Sequence, residues 1–283
     1  PSTFADLIGQ DAMVRTISNA FETGRIPQAW ILTGVRGVGK TTTARILARA
    51  LNYELADGSV SGPTIHMPSL GLHCAAIMES RHFDVIEMDA ASHNGVDDIR
   101  QINDAIRYAP VSARYKVYIL DEVHMLTSEA FNALLKTLEE PPAHSFFVLA
   151  TTELHKVPAT ILSRCQRFDF RQIPVGRIAD ALAQIAETEG ILAERAALES
   201  IARAADGAMR DAESIFDQVV AFTEGAVTLA VVDSVLGVTE SETLAQIADA
   251  IVAGDVAASF DLVDRVMGAG KDVGQLLADL TIY

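Results

Sequence analysis

The segment Gly34-Val35-Arg36-Gly37-Val38-Gly39-Lys40-Thr41 constrains this chain more than any other stretch of it. It satisfies the pattern G-x-x-x-x-G-K-[ST] at every fixed position. An apolar run, Ala29-Trp30-Ile31-Leu32-Thr33, precedes it, and a helix-forming stretch from Thr41 to Leu51 follows. A strand, a glycine-rich turn and a helix in that order make a phosphate cradle. The glycines let the backbone turn so that successive N–H groups face inward, and the helix N-terminus adds the positive end of its dipole. Backbone and side-chain contacts to the phosphates are expected from Gly34, Val35, Gly37, Val38, Gly39, Lys40, Thr41 and Thr42. The Lys40 ammonium is expected to neutralise the β- and γ-phosphates of ATP, and the Thr41 hydroxyl to ligate Mg²⁺. A plain glycine turn carrying a surface lysine is the alternative, and the strand and helix flanks disfavour it.

Four further apolar runs follow: Asp84-Val85-Ile86-Glu87-Met88, Lys116-Val117-Tyr118-Ile119-Leu120, Phe146-Phe147-Val148-Leu149-Ala150 and Gln166-Arg167-Phe168-Asp169-Phe170. The middle ones are short and nearly uninterrupted, as strands buried on both faces of a parallel sheet are. Helical patterns separate them; Phe131, Leu134, Leu135 and Leu138 recur at i, i+3, i+4 and i+7. The alternation predicts an α/β fold with a five-stranded parallel sheet under helices. Glu54 to Gly71, with Gly58, Gly62, Pro63 and Pro68, predicts a long irregular loop. After Arg171 the strand signals stop. Ile178, Leu182 and Ile185 mark one helix, Glu194 to Ala205 a second, and Ile215, Val219 and Phe222 a third, together a small bundle. Another helical unit starts near Asp233, with Leu244, Ile247 and Ile251, then Phe260, Val263 and Met267. The expected domains are 1–172, 173–234 and 235–283. The last is expected to be incomplete at Tyr283, and the N-terminus, which lacks methionine, to be trimmed.

The third apolar run ends at Asp121-Glu122. A carboxylate at the C-terminal edge of a buried parallel strand stands where open α/β sheets bind ligands. Asp121 is expected to hold the magnesium through a water, and Glu122 to orient and polarise the attacking water. Two carboxylates are needed because one is committed to the metal. Alone, the pair would read as a solvated acidic turn; the phosphate loop gives it a role. The fourth run ends at Thr151-Thr152, where the Thr152 hydroxyl can meet the γ-phosphate or the lytic water. Arginine offers a planar fork matched to phosphate, and two arginines stand out. Arg164 lies in Ser163-Arg164-Cys165, after a short helical segment from Pro158 to Ser163. Arg210 opens the helix Met209-Arg210-Asp211-Ala212.

Composition removes other classes. With 283 residues and 49% hydrophobic content the chain can build real cores, yet it contains no run of eighteen apolar residues, and no membrane span is expected. No basic segment followed by an apolar core opens the chain, so no leader is expected. Two cysteines, Cys74 and Cys165, are too few for a disulfide framework and fit a reducing cytoplasm. A net charge of −16 argues against wrapping nucleic acid over the whole surface and leaves room for a local basic stripe.

Longer strings carry a family resemblance. They are Phe4-Ala5-Asp6-Leu7-Ile8-Gly9-Gln10, the phosphate loop, Glu87-Met88-Asp89-Ala90-Ala91-Ser92, Asp121-Glu122-Val123-His124-Met125-Leu126, the run from Phe131 through Leu138-Glu139-Glu140-Pro141-Pro142, Leu162-Ser163-Arg164-Cys165 and Gly207-Ala208-Met209-Arg210-Asp211-Ala212. From residue 4 to at least residue 237 the chain resembles the gamma/tau family of bacterial clamp-loader subunits, AAA+ P-loop ATPases of DNA polymerase III. The resemblance implies a five-stranded AAA+ sheet, a three-helix lid and the start of an all-α collar that holds a five-subunit ring. It implies that Arg164 is an arginine finger acting on ATP held by the adjacent subunit. Thr152 takes the sensor-1 position, and Arg210 the sensor-2 position, contacting its own subunit's nucleotide. Leu7, Ile8 and Gly9 are implied to lie near the adenine. The implied partners are delta, delta-prime and further gamma/tau copies, the sliding clamp and primer-template DNA, in the cytoplasmic, nucleoid-associated replisome. Arg100 and Arg107, spaced i, i+7 on the helix after the second strand, are candidate DNA contacts, with a solvated face or an intersubunit pair as the alternative.

The sequence departs from this family at one site. The family carries four zinc-binding cysteines after the first helix; here Tyr53, Pro68 and Gly71 stand at three of these positions and only Cys74 remains. A structural zinc takes about four nitrogen or sulfur ligands, and His66, His73 and Cys74 fall short, so no Zn²⁺ is expected and both histidines are read as surface loop residues. Two other functions compete with clamp loading. Another AAA+ motor, a helicase or helicase loader, would share the phosphate loop and acidic pair but not the Ser-Arg-Cys and Leu-Glu-Glu-Pro-Pro strings. A non-hydrolysing scaffold of the same ring would have a degraded loop, whereas Lys40, Thr41, Asp121 and Glu122 are all present.

Overall fold

The computed structural model describes residues 3–60, 62–223, 225–236, 241–268 and 273–282. The chain forms two compact units, 1–173 and 174–283. In the first, α1 (Asp11–Glu22) leads to β1 (Ala29–Thr33), α2 (Lys40–Leu51), α3 (Cys74–Met78), β2 (Val85–Asp89), α4 (Val96–Ala105), β3 (Lys116–Asp121), α5 (Ser128–Glu139), β4 (Ser145–Thr151), α6 (Ala159–Leu162) and β5 (Gln166–Asp169). The five strands are parallel in the order β2-β3-β4-β1-β5. All residues of β1 and β4 are buried, which explains why their sequence runs are continuous rather than alternating.

Successive side chains on a strand point to opposite faces, and the sheet separates two cores accordingly. Trp30, Leu32, Val117, Ile119, Phe146 and Val148 pack with residues of α1, α2 and α3. Ile31, Tyr118, Leu120, Phe147 and Leu149 pack with residues of α4, α5 and α6. The amphipathic spacing read at Phe131, Leu134 and Leu138 is the buried face of α5, whose N-cap Thr127 accepts a bond from the Ala130 amide. Register aligns Thr33 with Thr151 and with Asp169, and Asp89 with Asp121, so the strands end along one edge. β1 sits between β4 and β5, where the strand order reverses, and its end feeds the phosphate loop. Among the described residues the stretch between α2 and α3 has no strand or helix, in keeping with the irregular loop that the sequence predicts; Tyr53 and Met67 anchor it in the core, and Leu72 N donates to Glu54 O.

The second unit holds α7 (Val175–Thr188), α8 (Arg195–Ala204), α9 (Met209–Phe222), α10 (Leu229–Leu236), α11 (Ser241–Val252), α12 (Val256–Gly268) and α13 (Val273–Ile282). Three findings refine the sequence reading. The bundle has a fourth helix, α10, which packs on α8 and α9 and runs across the expected boundary between 234 and 235. Helix α9 buries Ala212, Phe216 and Val219, whereas Phe222, at its last turn, is 67% exposed. In the last three helices Leu244, Ile247, Leu262, Val266 and Leu276 form the core, while Ile251 and Phe260 face solvent. These helices carry apolar residues on more than one face, so spacing alone selects a stripe without saying which one is covered. No helix among the described residues is long and apolar enough to cross a membrane.

Candidate nucleotide site

The phosphate loop joins β1 to α2 through positive φ at Gly34 (147°) and Gly39 (102°). A Cβ on Gly34 would lie 2.8 Å from both Cβ and O of Phe170, so the chain leaving β5 fixes the first loop residue as glycine. The Lys40 ammonium is buried and donates to the carbonyls of Gly34 (2.8 Å) and Val35 (2.7 Å), which holds it across the loop. Leu7 lies against the loop: a Cβ on Gly39 would meet Leu7 Cδ2 at 4.0 Å, which brings the segment carrying Ile8 and Gly9 alongside. A cavity of about 610 Å³ opens at the same strand edge, lined by Thr33, Gly34, Thr152, Leu154 and Phe170 among others.

Across the edge, Thr41 Oγ1 donates to Asp121 Oδ2 at 2.6 Å, joining the loop to the end of β3. The Glu122 amide donates to Asp121 Oδ1 (2.9 Å), and Glu122 itself takes a left-handed backbone, φ 48° and ψ 43°. That conformation costs a non-glycine residue about 1–2 kcal/mol and tends to persist where a site requires it. Thr152 Oγ1 donates to Glu122 Oε2 at 3.0 Å, so the end of β4 meets the acidic pair directly. A hydroxyl and a carboxylate 2.6 Å apart form a hard oxygen donor set that suits Mg²⁺, which keeps waters and takes one or two protein ligands.

Two contributors were not visible in the sequence. His124 lies between the ends of β3 and β4, its side chain 7% exposed. Its Nδ1 is 2.9 Å from Thr151 Oγ1 and 3.4 Å from Glu122 Oε2, and its Nε2 is 3.3 Å from Glu153 Oε2. Arg45 on α2 forks onto both Glu87 oxygens (2.8 and 2.9 Å), tying the helix that bears Thr41 to β2. That hydrogen bond raises the guanidinium pKa above its ordinary value, against the opposing effect of burial. Only tertiary pairing puts these side chains together, and no local pattern announces it.

Sequence models of two families match the chain. "DNA polymerase III, delta subunit" covers residues 9–174, and "DNA polymerase III clamp loader subunit, ATPase lid domain" covers residues 177–225. The gamma subunit of Buchnera aphidicola is 39% identical, over 99% of this chain and 76% of its own length. The chain belongs to the gamma/tau family of DNA polymerase III clamp-loader subunits. The tau subunit of Bacillus subtilis is 42% identical over 100% of this chain and 49% of its own length, so the chain spans about half of that relative. Among solved structures, the RuvB Holliday junction branch migration motor of Thermotoga maritima superposes with a TM-score of 0.60 at 18% identity, over 89% of this chain and 78% of RuvB. That likeness establishes the AAA+ fold.

Within this family frame the arginines separate. Arg164 is exposed; it donates to Thr160 O (2.8 Å) and to Glu139 Oε1 (2.6 Å), the first acid of the Leu-Glu-Glu-Pro-Pro run. Beside it, burial pushes the Cys165 thiol up to about 12. Arg210 is exposed in the first turn of α9, in the second unit. Arg100 is exposed on α4 and pairs with Asp97 at 2.8 Å. Arg107 falls beyond the end of α4, in the following turn, so the two do not form the helical stripe that the spacing predicts.

The family's zinc positions are filled by packing. Tyr53 is buried and its hydroxyl donates to Ser69 O (2.9 Å). A Cβ on Gly71 would come within 3.0 Å of the Tyr53 ring and 2.8 Å of Glu54 O, so Tyr53 and Gly71 fit as a pair. Cys74 is buried in the same core. Among the described residues no three His, Cys, Asp or Glu side chains are grouped to hold a metal. His66 is exposed as expected. His73 is not a surface residue: its side chain is 13% exposed, and its Nδ1 lies 2.9 Å from His82 Nε2. The start of α3 turns it inward, which a loop reading of the sequence does not capture.

Proposed function

We propose that this chain is the ATP-hydrolysing motor part of a clamp-loader subunit, which opens the sliding clamp and places it on primed DNA. The observation that carries this is the bonded edge Thr41–Asp121–Glu122–Thr152 facing Lys40 and its loop, in a chain of the gamma/tau family. Gly34, Val35, Gly37, Val38, Gly39, Lys40, Thr41 and Thr42 cradle the phosphates of ATP, with Ile8 and Gly9 near the base. Lys40 exchanges its carbonyl partners for β- and γ-phosphate oxygens. Thr41 and Asp121 would hold Mg²⁺, which would supply neutralisation of the charge that builds on the transferring phosphoryl group. Glu122 orients and polarises the attacking water, and Thr152 bonds the γ-phosphate. Arg210 takes the sensor-2 role toward the nucleotide of its own subunit. Arg164 reaches the ATP of the neighbouring subunit in a five-membered ring with delta and delta-prime, working in the cytoplasm. Residues 1–173 form the nucleotide-binding domain; the lid begins at 174 and includes α10, and the helices after 240 open the collar. DNA contact is mainly to phosphates and therefore salt-sensitive.

The trans arrangement of Arg164 supplies the test. In the assembled ring, Arg164→Ala should leave ATP binding within about twofold and lower DNA-stimulated turnover about 10³-fold, the lower range for an arginine finger. Quench-flow hydrolysis and nucleotide titration read the two quantities. An isolated wild-type subunit that turns over as fast as the ring would exclude a trans finger.

A further inference from the structure

His124 is nearly enclosed, and none of the phosphate-binding roles uses it. Its ring spans the gap between the ends of β3 and β4. Nδ1 faces Thr151 Oγ1 at 2.9 Å and Glu122 Oε2 at 3.4 Å, and Nε2 faces Glu153 Oε2 at 3.3 Å. Each of these partners is held from a second side. Glu122 Oε2 accepts from Thr152 Oγ1, Thr151 Oγ1 accepts from the Glu153 amide, and Glu153 Oε2 accepts from Lys156 Nζ at 2.6 Å. The result is a closed set of contacts around the carboxylate that follows a left-handed turn. A glutamate side chain loses rotamer entropy when it is fixed. A rigid ring already locked by Thr151 and Glu153 meets part of that cost in advance, whereas a carboxylate hanging from a strained turn would sample several directions.

We propose that His124 is a positioning residue for ATP hydrolysis: it fixes the Glu122 carboxylate against the Thr151–Glu153 segment. Water activation and γ-phosphate reading by Thr152 are thereby kept in one geometry. The inference rests on the reading of Glu122 as the residue that polarises the attacking water. His124 itself touches neither phosphate nor water in this role; it acts through Glu122.

The two ring nitrogens give a discriminating pair of variants. Asparagine places its amide near the Nδ1 position and drops the Glu153 arm. Glutamine reaches toward the Nε2 position and empties the Nδ1 side. In the full-length subunit, assembled with its partners, clamp and primed DNA, His124→Gln should lower single-turnover hydrolysis about 10- to 100-fold, the size of a misaligned general base. The ATP dissociation constant should stay within twofold, and His124→Asn should recover most of the lost rate. In a Glu122→Gln background, His124→Gln should bring no further loss, because it acts on a carboxylate already removed. Should His124→Gln lower the melting temperature, Thr151→Val, which deletes the same Nδ1 partner from the other side, takes its place with the same expected split. Wild-type rates in His124→Gln beside an inactive Glu122→Gln would overturn the inference alone, as would independent, multiplying losses in the double variant. Normal turnover in Glu122→Gln would instead overturn the reading of Glu122 on which it rests.

Discussion

The carboxylate of Asp84 is fully buried where the loop before β3 folds back on β2. It accepts from the amides of Val111 (2.7 Å), Ser112 (2.8 Å) and Ala113 (2.8 Å) and from the Ser112 hydroxyl (3.2 Å). Burial works to raise its pKa, and these four donors outweigh it, leaving the group below the ordinary carboxylate value. A depressed pKa contributes stability that is present above the unfolded value of about 3.9 and is lost as pH falls through the folded value. Asp84→Asn sets an amide N–H₂ against backbone N–H groups and should lower stability at pH 7 by about 1–3 kcal/mol. The gap to wild type should narrow as pH drops below about 3.9. Denaturant titrations at pH 7, 5 and 3 would measure this; a gap that does not change with pH would contradict it. In the sequence Asp84 is only the first residue of an apolar run. Its role could not be read there, because all its partners lie 27 to 29 residues away on a loop with no pattern of its own. That Lys40, Thr41, Asp121 and Glu122 meet at one strand edge was legible for the opposite reason: fixed spacing in a motif and position at a strand end are local signals.

At the scale of elements, legibility followed how many faces a segment buries. The inner strands β1, β3 and β4, covered on both sides, read as continuous apolar runs and lie where the runs predict them. Helix α5, with one covered face, read correctly from its spacing. Helix α10 was started too late, near Asp233, because Leu229–Leu236 is apolar on most sides and offers no clear stripe. Arg107 was misplaced because α4 ends at Ala105 and the helical spacing was carried past its terminus. The loop between β1 and α2 shows how tightly neighbouring elements fix one another. Gly34 is pressed by Phe170 as the chain leaves β5, so Gly34→Ala must move either the loop or β5. Backbone displacement of this kind costs about 1–3 kcal/mol. The expected outcome is a melting temperature lower by a few degrees and an ATP affinity weakened about tenfold, the equivalent of about 1.4 kcal/mol. Calorimetric titration would test it, and unaltered affinity would mean that the loop tolerates the shift.

Over the whole molecule, charge and exposed apolar surface pull in different directions. Each copy carries a net charge of −16, so copies repel at long range. The last three helices nonetheless leave Ile251 59%, Phe260 67% and Leu277 60% exposed, side chains that a stable partner would cover. If these residues join the subunits of the proposed ring, assembly is an apolar contact made against electrostatic repulsion. Salt shortens that repulsion, with a screening length of about 10 Å at 0.1 M and 3 Å at 1 M, and does not weaken apolar burial. Contact with DNA phosphates behaves oppositely, losing affinity steeply as salt rises. Ring assembly of the full-length subunits, followed by light scattering, should therefore hold or strengthen between about 0.05 and 0.3 M salt, while DNA stimulation of turnover falls over the same range. Phe260→Asp places a charge in the contact and should shift the population toward free subunits. On the proposed action of Arg164 on the adjacent nucleotide, turnover should then drop with assembly, while each free subunit should still bind ATP. Assembly of Phe260→Asp equal to wild type at every salt concentration would remove this surface from the interface and leave the nucleotide site untouched.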